Sequence, residues 1–175
     1  MGINKDSNTY TISFAIILVI IVGGMLAAIA NGLKPIQDEN LVNEKKQNIL
    51  NCLPGNKSIT RDEAGSVFAN FVKQRLILNY NGDIKENTLL DNSTELNNKD
   101  SSDAFSIDLL KEYKTIKDEK SRNYPLFICD VEGKTYYVAP VMGKGLWAAV
   151  WGFIALDETG NSISGTVFDL SLIHI

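Results

Sequence analysis

The chain has 175 residues, a formal net charge of −4, two cysteines and one histidine, enough for one domain with a real core beside any targeting segment. Cys52, Cys129 and His174 share no short spacing, so no zinc or haem ligand set can be assembled from them. The basic residues are scattered, which excludes a nucleic-acid footprint, and the two cysteines read as separate buried thiols.

From Ile12 to Ala30 the chain carries no charge, and a helix of that length at about 1.5 Å per residue nearly crosses a ~30 Å hydrocarbon core. One membrane span is expected. Gly23 and Gly24 inside it are costly in a soluble helix but let another helix approach closely in a bilayer. The competing reading is a cleavable signal peptide, because Lys5 precedes the run and Ala28-Ile29-Ala30 has a small-x-small form. The apolar stretch exceeds a usual signal core of about 7–15 residues, which favours a retained anchor. Flanking charges leave its orientation open: Lys5 and Asp6 on one side, Lys34, Asp38, Glu39, Lys45 and Lys46 on the other.

After Pro35, the stretch Asp38 to Leu53 predicts a helix continuing out of the membrane, whose start Asp38 can cap, with Val42, Ile49, Leu50 and Leu53 as its apolar residues and Pro54-Gly55-Asn56 as its stop. Thr60-Arg61-Asp62-Glu63 is a capping box that opens a second helix, with Ala64, Val67, Phe68, Phe71 and Val72 on a core-facing stripe. Arg75 to Tyr80 predicts a short strand ending in an Asn81-Gly82 turn. Asn87 to Asp103, rich in Asn, Ser, Asp and Thr, reads as a surface loop without chemistry. Asn92-Ser93-Thr94, like Asn56-Lys57-Ser58, matches a glycosylation pattern that is common by chance.

Ser106 to Lys117 predicts a short helix exposing Lys111, Glu112 and Lys114. The remainder reads as an antiparallel meander: Leu126 to Asp130, a turn at Glu132-Gly133, Thr135 to Val141, a glycine loop, Ala148 to Leu156, a turn over 158–161, and Ile163 to Phe168. The class is therefore α+β: one N-terminal transmembrane helix followed by a single mixed domain whose antiparallel sheet is covered by helices.

No Gly-x-Ser-x-Gly, P-loop or dinucleotide fingerprint is present, so no catalytic constellation and no metal site is expected. The run Val141-Met142-Gly143-Lys144-Gly145-Leu146-Trp147 stands out instead, because two glycines bracket a lysine where the backbone either bends sharply or is closely approached. Taken alone, Gly143-Lys144-Gly145 reads first as a tight inter-strand connection. With Leu146, Trp147 and Trp151-Gly152-Phe153 alongside, the stretch suits a flat conjugated ring. Trp147 and Trp151 could as well fill a core or an interface with another protein, and Lys144 could simply be solvated.

The same run, with Gly32-Leu33-Lys34-Pro35-Ile36-Gln37 and Lys45-Lys46-Gln47-Asn48-Ile49-Leu50 upstream, resembles the flavin-binding domain family of the sodium-translocating NADH:quinone reductase, found in the C subunit of that enzyme and in the related G subunit of the Rnf electron-transport complex. The resemblance covers roughly residues 10 to 169 and is weakest in the middle third. It implies an FMN cofactor near Gly143, Lys144, Gly145, Leu146 and Trp147, single-electron transfer within a complex that oxidises NADH, reduces quinone and moves sodium, and the other members of that complex as partners. It also implies a single-pass protein of the bacterial inner membrane, with a short cytoplasmic N-terminus and its domain on the periplasmic face. The implied division is 1–34 for the N-terminal segment and anchor, 35–169 for a partial extracytoplasmic flavin-binding-type domain, and 170–175 for a tail expected not to be native.

The family carries FMN through its phosphate on a threonine in a Ser-Gly-Ala-Thr sequence. Ser164-Gly165-Thr166 is only superficially similar, so the attachment is not carried over. After Phe168 the resemblance implies further chain, and the expectation is a C-terminally incomplete sheet that is inactive by itself. An electron carrier of the Rnf type and a membrane-anchored, non-redox binding module are the alternatives.

Overall fold

The computed structural model describes residues 8–55, 59–89, 102–146 and 149–169; Trp147, both glycosylation-type triplets and the tail 170–175 lie outside the described residues. The chain divides into two compact units, Met1–Leu41 and Val42–Ile175. The helix α1 runs from Asn8 to Asn51 through Pro35. It is long and apolar enough to cross a membrane, and its large apolar side chains from Ile12 to Leu33 are exposed.

Asp38 therefore lies inside α1 and does not act as a cap, whereas the helix continues beyond the apolar stretch as expected. Proline inside a helix costs about 3 kcal/mol, yet extending an existing helix needs no new nucleus, and Gln37, Glu39, Leu41, Glu44 and Lys45 are all good helix formers. Within the second unit the last turns of α1 bury Ile49 and Leu50, followed by buried Cys52 and Leu53.

Helix α2 spans Arg61–Phe71 and opens as its sequence predicts. The Thr60 N–H donates to Glu63 Oε2 at 3.0 Å, and the Glu63 N–H donates to Thr60 Oγ1 at 3.4 Å. Thr60→Ala should cost about 1 kcal/mol of stability, read as a lower urea midpoint with an unchanged slope. Val72, expected on the stripe of α2, is instead its C-cap and the first residue of strand β1 (Val72–Leu78), so that strand starts three residues before Arg75. A β-branched residue whose N–H bonds back to Phe68 O can end a helix while its extended backbone begins the sheet.

Strand β2 (Ile84–Leu89) returns through the Asn81-Gly82 turn, where Gly82 takes a φ of 87° and Asn79 Oδ1 accepts from the N–H groups of Asn81 and Asp83. Its last residues fall in the stretch whose composition predicts a loop. Next come a 3₁₀ turn at Ala104–Ser106, helix α3 (Leu109–Thr115) packed beside the sheet, and strands β3 (Tyr124–Val131), β4 (Lys134–Lys144), β5 (Ala149–Leu156) and β6 (Ile163–Asp169). Lys111 and Lys114 are exposed as expected, whereas Glu112 accepts from the Asn123 N–H.

The sheet is antiparallel throughout, in the order β2-β1-β3-β4-β5-β6. On one face Val72, Phe127, Cys129, Val138, Phe153 and Ala155 pack with residues from the end of α1, with Ala64 and Phe68 of α2, and with Phe105. Rings meet edge to face through this core: Phe68 on Phe105, Phe105 on Phe127, Phe127 on Phe153, and Trp151 on Phe153. Such contacts add about 0.5–1.5 kcal/mol each to area burial. The α+β fold with helices over an antiparallel sheet is the one expected.

Candidate functional site

The glycine run lies at the β4–β5 hairpin, but not as a bend starting at Gly143. Strand β4 continues through Gly143 and Lys144, which pair with Val150 and Ala149 of β5. Gly143 has no left-handed φ, and a Cβ built on it meets nothing within 4 Å. Among the described residues neither backbone conformation nor packing explains a glycine there. Gly143 and Lys144 are exposed, Gly145 is half-buried and Leu146 at the hairpin end is 91 % exposed. These four of the five expected flavin-contacting residues are brought together by one hairpin; the fifth, Trp147, is outside the described residues. Trp151 is half-buried and packs on the core.

Strand β4 also leaves its other neighbour. Its pairing with β3 runs from Val131–Lys134 to Phe127–Val138 and stops, although β3 extends back to Tyr124 and β4 on to Lys144. Continuing the register would set Pro125 against Pro140. Proline has no N–H to give a ladder, so two facing prolines end the pairing. Beyond Val138, β4 is therefore hydrogen-bonded to β5 alone among the described residues.

A second constellation lies in the body of the domain. Asp103, expected in a loop without chemistry, is buried and accepts from Arg75 Nη2 at 2.6 Å, while its other carboxylate oxygen accepts from the Phe105 N–H. Arg75 is 1 % exposed, with Nε and Nη1 unpartnered among the described residues. Burial pulls the Arg75 guanidinium below its usual range, against the opposing charge and hydrogen bond of Asp103. Lys45 donates to the carbonyls of Phe105 at 2.5 Å and Ile107 at 3.1 Å and sits 4.8 Å from the Phe105 ring centre. Burial lowers Lys45 to about 8, with Asp108 and Asp103 opposing. The only sequence sign of this cluster is an arginine inside a strand pattern.

The cysteines are free and buried. Burial raises Cys52 to about 11, against backbone hydrogen bonds near Val167 and Ala155, and raises Cys129 further, helped by the neighbouring Cys52. A thiol raised in the folded state contributes stability that is complete below its unfolded value near 9 and lost as pH climbs through the folded one. Thermal midpoints should therefore fall from about pH 9 upward, and Cys52→Ala should make that fall shallower. Parallel profiles for the two proteins would contradict the assignment.

Ser164-Gly165-Thr166 lies in β6, where Gly165 has a structural duty. A Cβ there would collide with the Cys52 carbonyl, and the Cys52 thiol donates to Gly165 O at 3.3 Å. Among the described residues no group of three or more His, Cys, Asp or Glu side chains could hold a metal ion.

No protein-family model matches the chain. It is 26% identical over 166 residues to the C subunit of the Na(+)-translocating NADH-quinone reductase of Neisseria meningitidis, covering 94% of this chain and 64% of that protein. The corresponding protein of Vibrio anguillarum is 28% identical over 173 residues, covering 96% and 65%. The crystal structure of the same Na(+)-translocating NADH-quinone reductase component from Parabacteroides distasonis superposes with a TM-score of 0.60 at 28% identity, over 78% of this chain and 57% of that one. The chain thus spans a little under two thirds of the curated relatives it matches, and its fold is that of the solved Parabacteroides protein.

Proposed function

We propose that this chain is the anchor and part of the flavin domain of the C subunit in a sodium-translocating NADH:quinone reductase. The observation that carries the reading is likeness to such C subunits over 94% of the chain, joined to a solved relative of the same fold and to an N-terminal helix able to cross a bilayer. On this reading α1 holds the domain at the bacterial inner membrane on its periplasmic side, and NADH and quinone bind elsewhere in the complex.

The residues at the β4–β5 hairpin fit one side of an FMN. Gly143 leaves its main chain bare, Lys144 sets an exposed cation beside it, and Leu146 offers an exposed apolar surface. FMN, when bound, supplies redox chemistry that no side chain here possesses. Lys144 would favour an anionic partner, whether a phosphate or a reduced ring, and Leu146 would exclude water from one side of it. The Ser-Gly-Ala-Thr sequence through which the family carries FMN has no counterpart in residues 1–175.

The test is genetic and spectroscopic. In the organism that encodes the chain, its deletion should abolish sodium-dependent NADH:quinone reduction by isolated membranes, and expression of the intact gene should restore it together with flavin fluorescence in the matching gel band. Membranes that keep full sodium-dependent activity without the gene would refute the assignment.

A further inference from the structure

Within the second unit a single ammonium group ties the last turns of α1 to the connection that enters α3. Lys45 Nζ donates to the carbonyls of Phe105 at 2.5 Å and Ile107 at 3.1 Å and lies 4.8 Å from the Phe105 ring centre. Its cage is thus built from neutral groups that attract a cation. The charges around it come from Asp103 at the start of the 3₁₀ turn, Asp108 at the N-cap of α3, and Arg75 of β1, which is bonded to Asp103 at 2.6 Å. On α1 itself Glu44 pairs with Arg61 at 3.2 Å, and Lys46 adds a second positive charge. Both aspartates are engaged elsewhere, Asp103 with Arg75 and the Phe105 N–H, Asp108 with the N–H groups of Leu110 and Lys111. Among the described residues no ion pair forms at Lys45. The segment it holds matters to the whole domain: Asp103 answers Arg75, Phe105 meets Phe68 and Phe127, and α3 packs beside β4.

We propose that Lys45 is a proton-operated latch: losing its proton tightens the hold of the end of α1 on residues 103–108, and regaining it loosens that hold. The ammonium has three donors, and the neutral amine keeps two, one for each of the two carbonyls, so the cage survives loss of the proton. What changes is the cost of burying a charge that no carboxylate answers directly. Burial lowers Lys45 to about 8 from an ordinary 10.5, with Asp108 and Asp103 opposing. The closed arrangement therefore binds the proton more weakly than any arrangement in which Lys45 swings into water. By linkage, rising pH favours the closed arrangement and acid favours the open one, in the window between those two values. Lys45 is a positioning residue here, acting through the turn and α3.

The test uses the full chain in detergent micelles. Carbon-13 resonances of the lysine Cε atoms, with Lys45 assigned by its loss in Lys45→Arg, give the titration midpoint directly, expected near 8. Millisecond hydrogen-exchange pulses then report protection of the amides of residues 103–110, each referred to its own unstructured rate. In the wild type that protection should be flat from pH 6 to 7 and rise about tenfold from pH 7 to 9. Lys45→Met has no proton to lose and Lys45→Arg keeps its own, so both should show protection independent of pH. Two variants of opposite charge guard against one that folds poorly. A Lys45 midpoint near 10.5 in the folded protein, a wild type whose protection does not rise, or the same rise in both variants would overturn the latch.

Discussion

Asp103→Ala is expected to lower the unfolding free energy of the second unit by about 3–5 kcal/mol, the range for removing one partner of a buried ion pair. The carboxylate answers Arg75 at 2.6 Å, and two nitrogens of that guanidinium already lack partners among the described residues. Without Asp103 the guanidinium would keep its charge, because even a lowered arginine stays protonated, and would be left buried with no counter-ion. The same carboxylate caps the 3₁₀ turn through the Phe105 N–H, and Phe105 stacks edge to face on both Phe68 and Phe127. The loss should therefore spread to the aromatic core, seen as weakened near-ultraviolet dichroism before far-ultraviolet dichroism changes. Replacing both partners by apolar residues, Arg75→Leu with Asp103→Leu, should recover much of the loss, since the penalty lies in the orphaned charge and not in the missing bond. Urea unfolding of the single and double variants decides this; additive losses would show that the pair is not coupled.

Gly165→Ala should be, with Gly152→Ala, one of the two most damaging single methyls in the sheet. Its Cβ would run into the main-chain carbonyl of Cys52, which unlike a side-chain tip cannot swing aside. Overpacking of a tight site costs about 1–3 kcal/mol and sometimes more, and here the strain would push the end of α1 away from β6. Gly143→Ala supplies the contrast: the same methyl at the β4–β5 hairpin, with open space around it, should be neutral to folding. Equal thermal midpoints for the two variants would mean that the α1–β6 approach does not limit stability.

The frame is legible in the sequence wherever a local rule acts alone. The Thr60–Glu63 box, the Asn81-Gly82 and Glu132-Gly133 turns and the alternating strands of the meander each follow from side chains a few residues apart, and each stands in the structure. What escapes is decided by distant neighbours. Strand β2, with Lys85 and Glu86 exposed, has the polar face of an edge strand and so resembles a loop in composition. Asp103 looks like one more polar loop residue until β1 supplies Arg75, and Gly165 looks like a fragment of an attachment motif until the Cys52 carbonyl accounts for it. At the hairpin the prominence of Gly143-Lys144-Gly145 is legible, but its form is not: the strand carries on through Gly143, and the sheet opens on the other side of β4 because of two prolines 15 residues apart in sequence.

If the chain works as one component of a membrane-bound redox complex, it should be found with the rest of that complex. The most direct test is to tag the chain at its gene, solubilise the membranes in mild detergent, and identify by mass spectrometry what is recovered with it. The expected result is recovery from the membrane fraction in stoichiometric company with the remaining components of a sodium-translocating NADH:quinone reductase. Recovery of the tagged chain from the soluble fraction, or from membranes without those components, would contradict it.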